Sequence, residues 1–462
     1  SIVEATFEPR SLYQFKDKAS QASTVLKLRL RGQGIPLSAC KLDRLRLFLH
    51  GDRFDTFPLY EALVSGVLDV CLRNPEDSPD KPPISLGSKA LQPVGFSPEE
   101  LILPQGSYSH PAYQLIQEYF AFPEKFLFLD IADLEKRQTS SKELDILIPL
   151  SQVPARQSMI TSAMFRTGAV PVVNLFKKIS EPIRQDETQS EYRLIADARR
   201  NISTEIHSIE SVSAVEPGKP ETLRIEPYFA LTHHMVSDRT RLFWLMRRDS
   251  ASAGTPGTDV YLSFTDLDFN PMRAPARTIF ARLLCTNRHL TSAVQAGTVL
   301  ERDANMPVGD IRLLINPTQQ RSPAMEGEVM WRLISHLSLN HLSLDGPQAT
   351  NALREILRLY AADDDIPSQR QIQGVTGIQC RPVARRMGEK AWRGFVRGTL
   401  IELTLEENNF AGESGFMFAS VLNSFFGLYA NVNTFTQLSL KGVGPKGVRY
   451  QWPPITGCQP VL

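Results

Sequence analysis

The chain has 462 residues, with 51 Lys and Arg against 50 Asp and Glu, 42% apolar residues and 22% charged ones. At roughly 100–200 residues per domain, this length predicts about two to four globular domains of ordinary composition. The balanced charge argues against nucleic acid as the main partner, because phosphate binding needs a surplus of cations at the contact.

The first predicted elements are strands. In VLKLRL, Leu26, Leu28 and Leu30 share one face, with Lys27, Arg29 and Arg31 on the other, and Leu45, Leu47 and Leu49 repeat the alternation. Period 2 with one polar face predicts a half-buried antiparallel sheet. Residues 74–95 are rich in Pro, Ser and Asp and read as a long loop. A helix is expected over Pro111–Phe120, and EKFLFLDI returns to strand. The polar stretch 135–143 reads as a loop, and residues 160–300 as mostly β, with YLSFTDLDF at 261–269 the clearest strand. A boundary is expected near 316–328.

In the last third, Leu353, Ile356, Leu357 and Tyr360 fall at helical spacing, with Asp345 and Pro347 suited to the helix start. Residues 372–384 and TLIELTLEE read as strands, Ser414–Tyr429 as a second helix, and TFTQLSL as a final strand. With WRLISHLSL as a first strand, the order becomes β-α-β-β-α-β, the split, ferredoxin-like arrangement. That segment reads equally well as helix. The expected class is therefore α+β, multi-domain and β-rich. Its antiparallel sheets lead into a C-terminal ferredoxin-like domain, with regions 1–155, 156–328 and 329–462.

No catalytic or metal site is expected. Cys40, Cys71, Cys285, Cys380 and Cys458 are scattered, with no CxxC pair, and read as buried small hydrophobes in a reducing compartment. His233 and His234 are adjacent, and His336 and His341 lie five apart, so neither pair fits an HExxH zinc site. In GESGF, Phe416 stands where a nucleophile elbow needs its last glycine, so Ser414 reads as a helix cap. GVGPKG at 442–447 lacks the phosphate-loop spacing and reads as a turn. Asp363, Asp364 and Asp365 lack the spaced ligands of a calcium loop and read as a solvated turn. No run reaches the roughly 18 apolar residues of a membrane span. The opening SIVEATFEPR has no signal layout. EYFAFPEKFLF at 118–128 and SFFGLY at 424–429 concentrate aromatics. Such clusters are core or interface anchors.

Several of these segments resemble the TssF family (also VasA or ImpG) of the type VI secretion baseplate. They are EYFAFPEKFLFLDI, PVVNLFKKISEPI, EYRLIADARRNISTEIHSI, LSFTDLD, LLCTNRHL, WRLISHLSLNHLSL, WRGFVRGTLIELTLEE, GFMFASVLNSFFGLYANVNTFTQLSL and WPPITGCQ, in family order from about residue 95 onward. The resemblance departs at the front, where family members usually carry a long helical region before the point matching Ser1. It implies a structural role with no catalytic residues, cofactor or metal. The implied partners are a second TssF copy, TssG and TssK, with TssE, the sheath and the VgrG hub beyond them, and the membrane complex indirectly. Neither nucleic acid nor a small-molecule substrate is implied. The implied place is the bacterial cytoplasm, docked at the inner membrane through partners. The alternative from the residues alone is a non-catalytic cytosolic ligand-binding protein with a β-rich body. A hydrolase is a third reading.

Overall fold

The computed structural model describes the chain apart from residues 33–36, 38, 39, 41, 79, 80, 105–110, 137–141, 155–159, 186–188, 217, 219–221, 229–241, 252–255, 267–276, 303–307, 323, 324, 326, 328, 332–345, 347, 363, 387–393, 428, 429, 431, 443–447 and 458–462. It divides into two compact units, one of Ser1–Pro171 with Arg332–Leu462 and one of Val172–Trp331.

The N-terminal part of the first unit carries strands β1 (Ile2–Glu8), β2 (Thr24–Arg31), β3 (Leu45–Leu49), β4 (Cys71–Arg73), β5 (Ile84–Ser85), β6 (Leu91–Pro93), β7 (Phe128–Ile131), β8 (Glu143–Leu150) and β9 (Phe165–Thr167). They form two antiparallel sheets, ordered β1-β2-β8-β4-β5 and β6-β7-β3-β9. The alternation in β2 is real, with Leu26, Leu28 and Leu30 buried. Its polar face is not left to water, however. Lys27 sits between Glu4 at 2.9 Å and Glu8 at 2.6 Å on β1, and Arg29 holds Asp145 on β8 at 2.7 Å. Opposite charges across an antiparallel pair, directly as in Arg29–Asp145 or diagonally as in Lys27 with Glu4 and Glu8, fix register as well as adding stability. The stretch read as one long loop, 74–95, contains β5 and β6. Both are too short for period 2 to show.

Helix α1 (Arg53–Gly66) was not anticipated, and its residues bury Phe57, Leu59, Tyr60 and Leu63. Asp52 caps it, its carboxylate accepting from the Phe54 amide at 2.7 Å. Helix α2 (Pro111–Ala121) matches the expected one.

The second unit holds β10 (Phe176–Ile179), β11 (Ile183–Gln185), β12 (Tyr192–Leu194), β13 (Glu205–Val215), β14 (Thr222–Pro227), β15 (Leu242–Ser250), β16 (Thr258–Asp266), β17 (Arg277–Thr286), β18 (Val299–Leu300) and β19 (Ile311–Arg312). Eight of them make one sheet, ordered β10-β17-β13-β14-β15-β16-β12, with β11 also on β17. Strand β17 shows why. Ile279, Ala281, Leu283 and Cys285 alternate with more exposed neighbours and are fully buried. They join Val212, Ala214, Trp244, Val260 and Leu262 in one core. All its pairings are antiparallel except β14 with β15.

The C-terminal part of the first unit has helices α3 (Ala349–Arg358), α4 (Ile366–Gln373) and α5 (Gly415–Gly427), with strands β20 (Val375–Arg386), β21 (Phe395–Leu405), β22 (Thr434–Gly442), β23 (Val448–Gln451) and β24 (Ile455–Thr456). Asp345 and Pro347, read as the start of α3, lie outside the described residues, as does WRLISHLSL beyond Trp331; Gln348 holds the cap position. Strand β21 pairs in parallel with β22 along its length, Arg397 beside Thr434 through Leu405 beside Gly442. The connecting helix α5 thus closes a contiguous β-α-β crossover. This differs from the ferredoxin-like arrangement, which needs another strand between the two parallel ones. The α+β, β-rich, multi-unit class holds. The local pattern of helices and strands was legible, but the pairing order was not.

Candidate functional site

Both aromatic clusters lie in the first unit, on or beside two helices that pack together. Helix α2 packs against α5, so Tyr119 lies 5.6 Å from Phe418 between ring centroids, and Phe126 lies 6.1 Å from Tyr119. Phe410 closes on Phe418 at 5.5 Å, and Tyr113 meets Phe425 edge-on at 6.0 Å. Offset and tilted pairs at such distances are favoured by the ring quadrupoles. The aromatics are thus internal core, joining segments that start far apart in sequence.

Beneath them lies a closed ion pair. Lys125 bonds Glu118, and the two side chains are only 1% and 0% exposed. Glu118 also accepts from the Ile102 and Leu103 amides, both at 2.8 Å. Burial pulls the Lys125 amine below its usual range, while Glu118 pulls it back. A paired and hydrogen-bonded buried charge of this kind is structural rather than catalytic, because its lone pairs are taken.

The rim of the same contact is acidic. Arg53, at the start of α1, reaches both Glu124 and Glu413, the latter at 3.4 Å. Arg449 on β23 bonds Glu61 of α1 and Glu407. Two guanidiniums therefore face four carboxylates. Glu413 is only 9% exposed at its side chain, and its Oε2 accepts no hydrogen bond among the described residues. Burial pushes its carboxyl up to about 7, with Arg53 opposing and Glu124 and Asp365 adding to the rise. Burial likewise raises Glu61.

The residues weighed from sequence do not converge. His233, His234, His336 and His341 lie outside the described residues. Ser414 caps α5, its hydroxyl accepting from the Met417 amide at 3.2 Å and donating to Glu61 at 3.4 Å, with no histidine partner among the described residues. Asp365 accepts from the Ser368 hydroxyl at 2.7 Å just ahead of α4, and Asp363 is outside the described residues. Gly442 ends β22, and residues 443–447, which the sequence reads as a turn, lie outside too. Cys71 and Cys285 are buried thiols, as expected, whereas Cys40 and Cys380 are partly exposed. Cys458 is outside the description. Among the described residues, no group of His, Cys, Asp or Glu is placed to hold a metal ion. Likewise among them, no helix is long and apolar enough to cross a membrane.

One cleft of about 210 Å³ opens between Arg46, Glu100, Ile102, Lys125 and Phe128. Three of its charges are already engaged, Arg46 with Asp130 and Glu100 at 2.8 Å each, and Lys125 with Glu118, while Glu99 is exposed. What the molecule does offer is surface. Val299, Leu300 and Ile311 are exposed on the two-stranded pair β18–β19, and Phe395 is exposed on β21. A family model described as type VI secretion system, TssF, matches residues 1–459.

The chain belongs to the TssF family of the type VI secretion system. The type VI secretion system component TssF1 of Pseudomonas aeruginosa strain PAO1 is 30% identical over 463 residues, spanning 96% of this chain and 74% of that protein. Two solved structures share the fold. A chain in the TssK-TssF-TssG baseplate subcomplex, seen by cryo-electron microscopy, superposes with a TM-score of 0.76 at 24% identity, covering 99% of this chain and 82% of that one. A chain in the baseplate complex from the type VI secretion system gives 0.55 at 20% identity, covering 100% and 82%. The match reaches the first residue, so the segment before residue 95, where the resemblance was not legible, belongs to the family region too. The family match makes the chain a TssF-type component of the type VI secretion system.

Proposed function

We propose that this TssF-family chain builds a baseplate wedge by binding TssG-type and TssK-type partners, alongside a second copy of itself. The single observation that supports this reading is the match over nearly the whole chain to a subunit solved in a TssK-TssF-TssG subcomplex. The mechanism is one of assembly. Stable interfaces bury roughly 1,200–2,000 Å² each, so a subunit with several partners needs several separate faces. The regions 1–155, 156–328 and 329–462 are our reading of the partner-facing parts, although the first and third share one compact unit and β9 of the middle region completes an N-terminal sheet. Wedges of this kind would surround a VgrG-type spike hub, contact TssE and the sheath, and reach the inner membrane only through a membrane complex, from the cytoplasmic side. Rearrangement of bistable interfaces would then pass the trigger to the sheath.

The test is co-expression with the TssG and TssK proteins of the same system, followed by mass measurement of the purified complex. A defined complex containing all three supports the reading. A monomer that ignores both partners refutes it.

A further inference from the structure

The strand pair β20–β21 changes character along its length. Ile378, Leu403 and Ile401 are buried on the face that also carries Leu438 and Leu440 of β22. Helix α5 covers this face, and the Thr436 hydroxyl on it donates to the Phe426 carbonyl of that helix at 3.2 Å. Side chains alternate across a strand, so the same face continues outward through Pro382, Ala384 and Arg386 on β20 and Thr399, Arg397 and Phe395 on β21. Here it is bare. Pro382, Ala384, Arg386 and Arg397 are exposed, and Phe395 is 78% exposed.

The register sets the geometry of this bare end. Arg386 lies directly opposite Phe395, and Arg397 follows Phe395 by two residues on the same face. Cross-strand neighbours stand about 5 Å apart at Cβ, and the next same-face residue about 7 Å along. Two arginines therefore neighbour one exposed phenylalanine on this face. Neither arginine makes an ion pair among the described residues, although Arg381, on the other face of β20, is held by Glu402 at 2.8 Å. Pro382 has no N–H to extend the sheet, so the outer edge of β20 is poorly suited to adding a strand. Contact must come through side chains on the face.

We infer that this distal face of β20–β21 docks an acidic segment of a partner protein, with Phe395 seated in an apolar pocket and Arg386 and Arg397 each meeting a carboxylate. Charge complementarity selects this occupant. Arginines with no ion pair among the described residues are suited to pair with carboxylates in fixed, two-pronged geometry. An aromatic ring beside arginine is the composition of an interface anchor. On this face the described cations are two, beside one ring, whereas a nucleic-acid or lipid surface would call for a wider cationic field. The inference rests on the assembly reading above and assigns one face to it.

The experiment places p-benzoylphenylalanine at Phe395 in the full chain, expressed in cells with its own type VI system. After irradiation, the cross-linked peptide is identified by mass spectrometry. The expected product is one protein peptide bearing Asp or Glu close to the cross-link. The double variant Arg386→Glu with Arg397→Glu should lower its yield about tenfold, and reversing the partner's carboxylates to Lys should restore it. The melting temperature of the double variant checks folding, with Arg386→Gln and Arg397→Gln as the milder pair. Cross-links that ignore charge reversal overturn the inference, as does no protein cross-link at all. Binding of the purified chain to phosphatidylglycerol vesicles or a single-stranded oligonucleotide that the double variant abolishes also overturns it, and reassigns the face. Wild-type co-purification with TssG and TssK is scored separately. If the wedge forms while the hairpin variants behave as wild type, only this inference falls.

Discussion

Tyr119 donates a hydrogen bond of 3.0 Å from its hydroxyl to Gln371 Oε1, across 252 residues of chain. Both groups are buried, one on α2 and the other on α4. The contact ties the first third of the sequence to the last. Tyr119→Phe would leave the Gln371 carbonyl buried without its donor, at about 1–3 kcal/mol. Urea unfolding should show this as a lowered midpoint with an unchanged slope. Adding Gln371→Leu should recover part of the loss, because an apolar pair needs no partner.

The Glu118–Lys125 pair gives an ordered prediction. Glu118→Ala strands the Lys125 amine and frees the Ile102 and Leu103 amides, and should cost about 3–5 kcal/mol. Lys125→Met should cost less, because Glu118 keeps both backbone donors. Equal losses in thermal melts would show that the two amides contribute nothing.

Glu413 makes stability depend on pH. Its carboxyl ordinarily titrates near 4.5 and rises to about 7 in the fold. The folded chain therefore binds that proton more tightly than the unfolded chain does. The resulting stability is full below 4.5 and is lost as pH climbs through 7. The groups facing it are Arg53, which opposes the rise, and Glu124 and Asp365, which add to it. Glu413→Gln should flatten the stability profile between about pH 5 and 7, and should exceed wild type above pH 7 by up to about 3 kcal/mol. Denaturant midpoints measured across pH 5–8 test this. A variant that keeps the wild-type slope would move the origin of the effect elsewhere.

Gly398 is fixed by close approach. A Cβ there would lie 2.5 Å from both the Phe435 carbonyl and its ring on β22. Gly398→Ala must push apart two parallel strands in the sheet and should cost about 1–3 kcal/mol. A paired Phe435→Leu variant, which still leaves the carbonyl in place, should rescue only part. Melting curves of the single and double variants decide it.

The sequence by itself determined the local pieces. Period 2 in Leu26, Leu28 and Leu30 and in Ile401, Leu403 and Leu405 marked buried strand faces, and the helical spacing of Leu353, Ile356 and Leu357 marked a buried helix face. The order of nine segments carried the family. These signals are local or colinear, so no contact needed to be known. Only the tertiary structure decided the rest. Helix α1 escaped notice because its buried face includes Thr56 and Gly66 while apolar Phe54 lies on the exposed side, which blurs the periodicity. The C-terminal sheet was misordered because the direct pairing of β21 with β22 depends on long-range hydrogen bonds that no spacing encodes. Lys27 reads as a surface residue until Glu4 and Glu8 are placed across from it. The same holds for the surface itself. Arg386, Phe395 and Arg397 are unremarkable in sequence, and become a candidate docking face only because strand register brings them side by side beyond the cover of the helix layer.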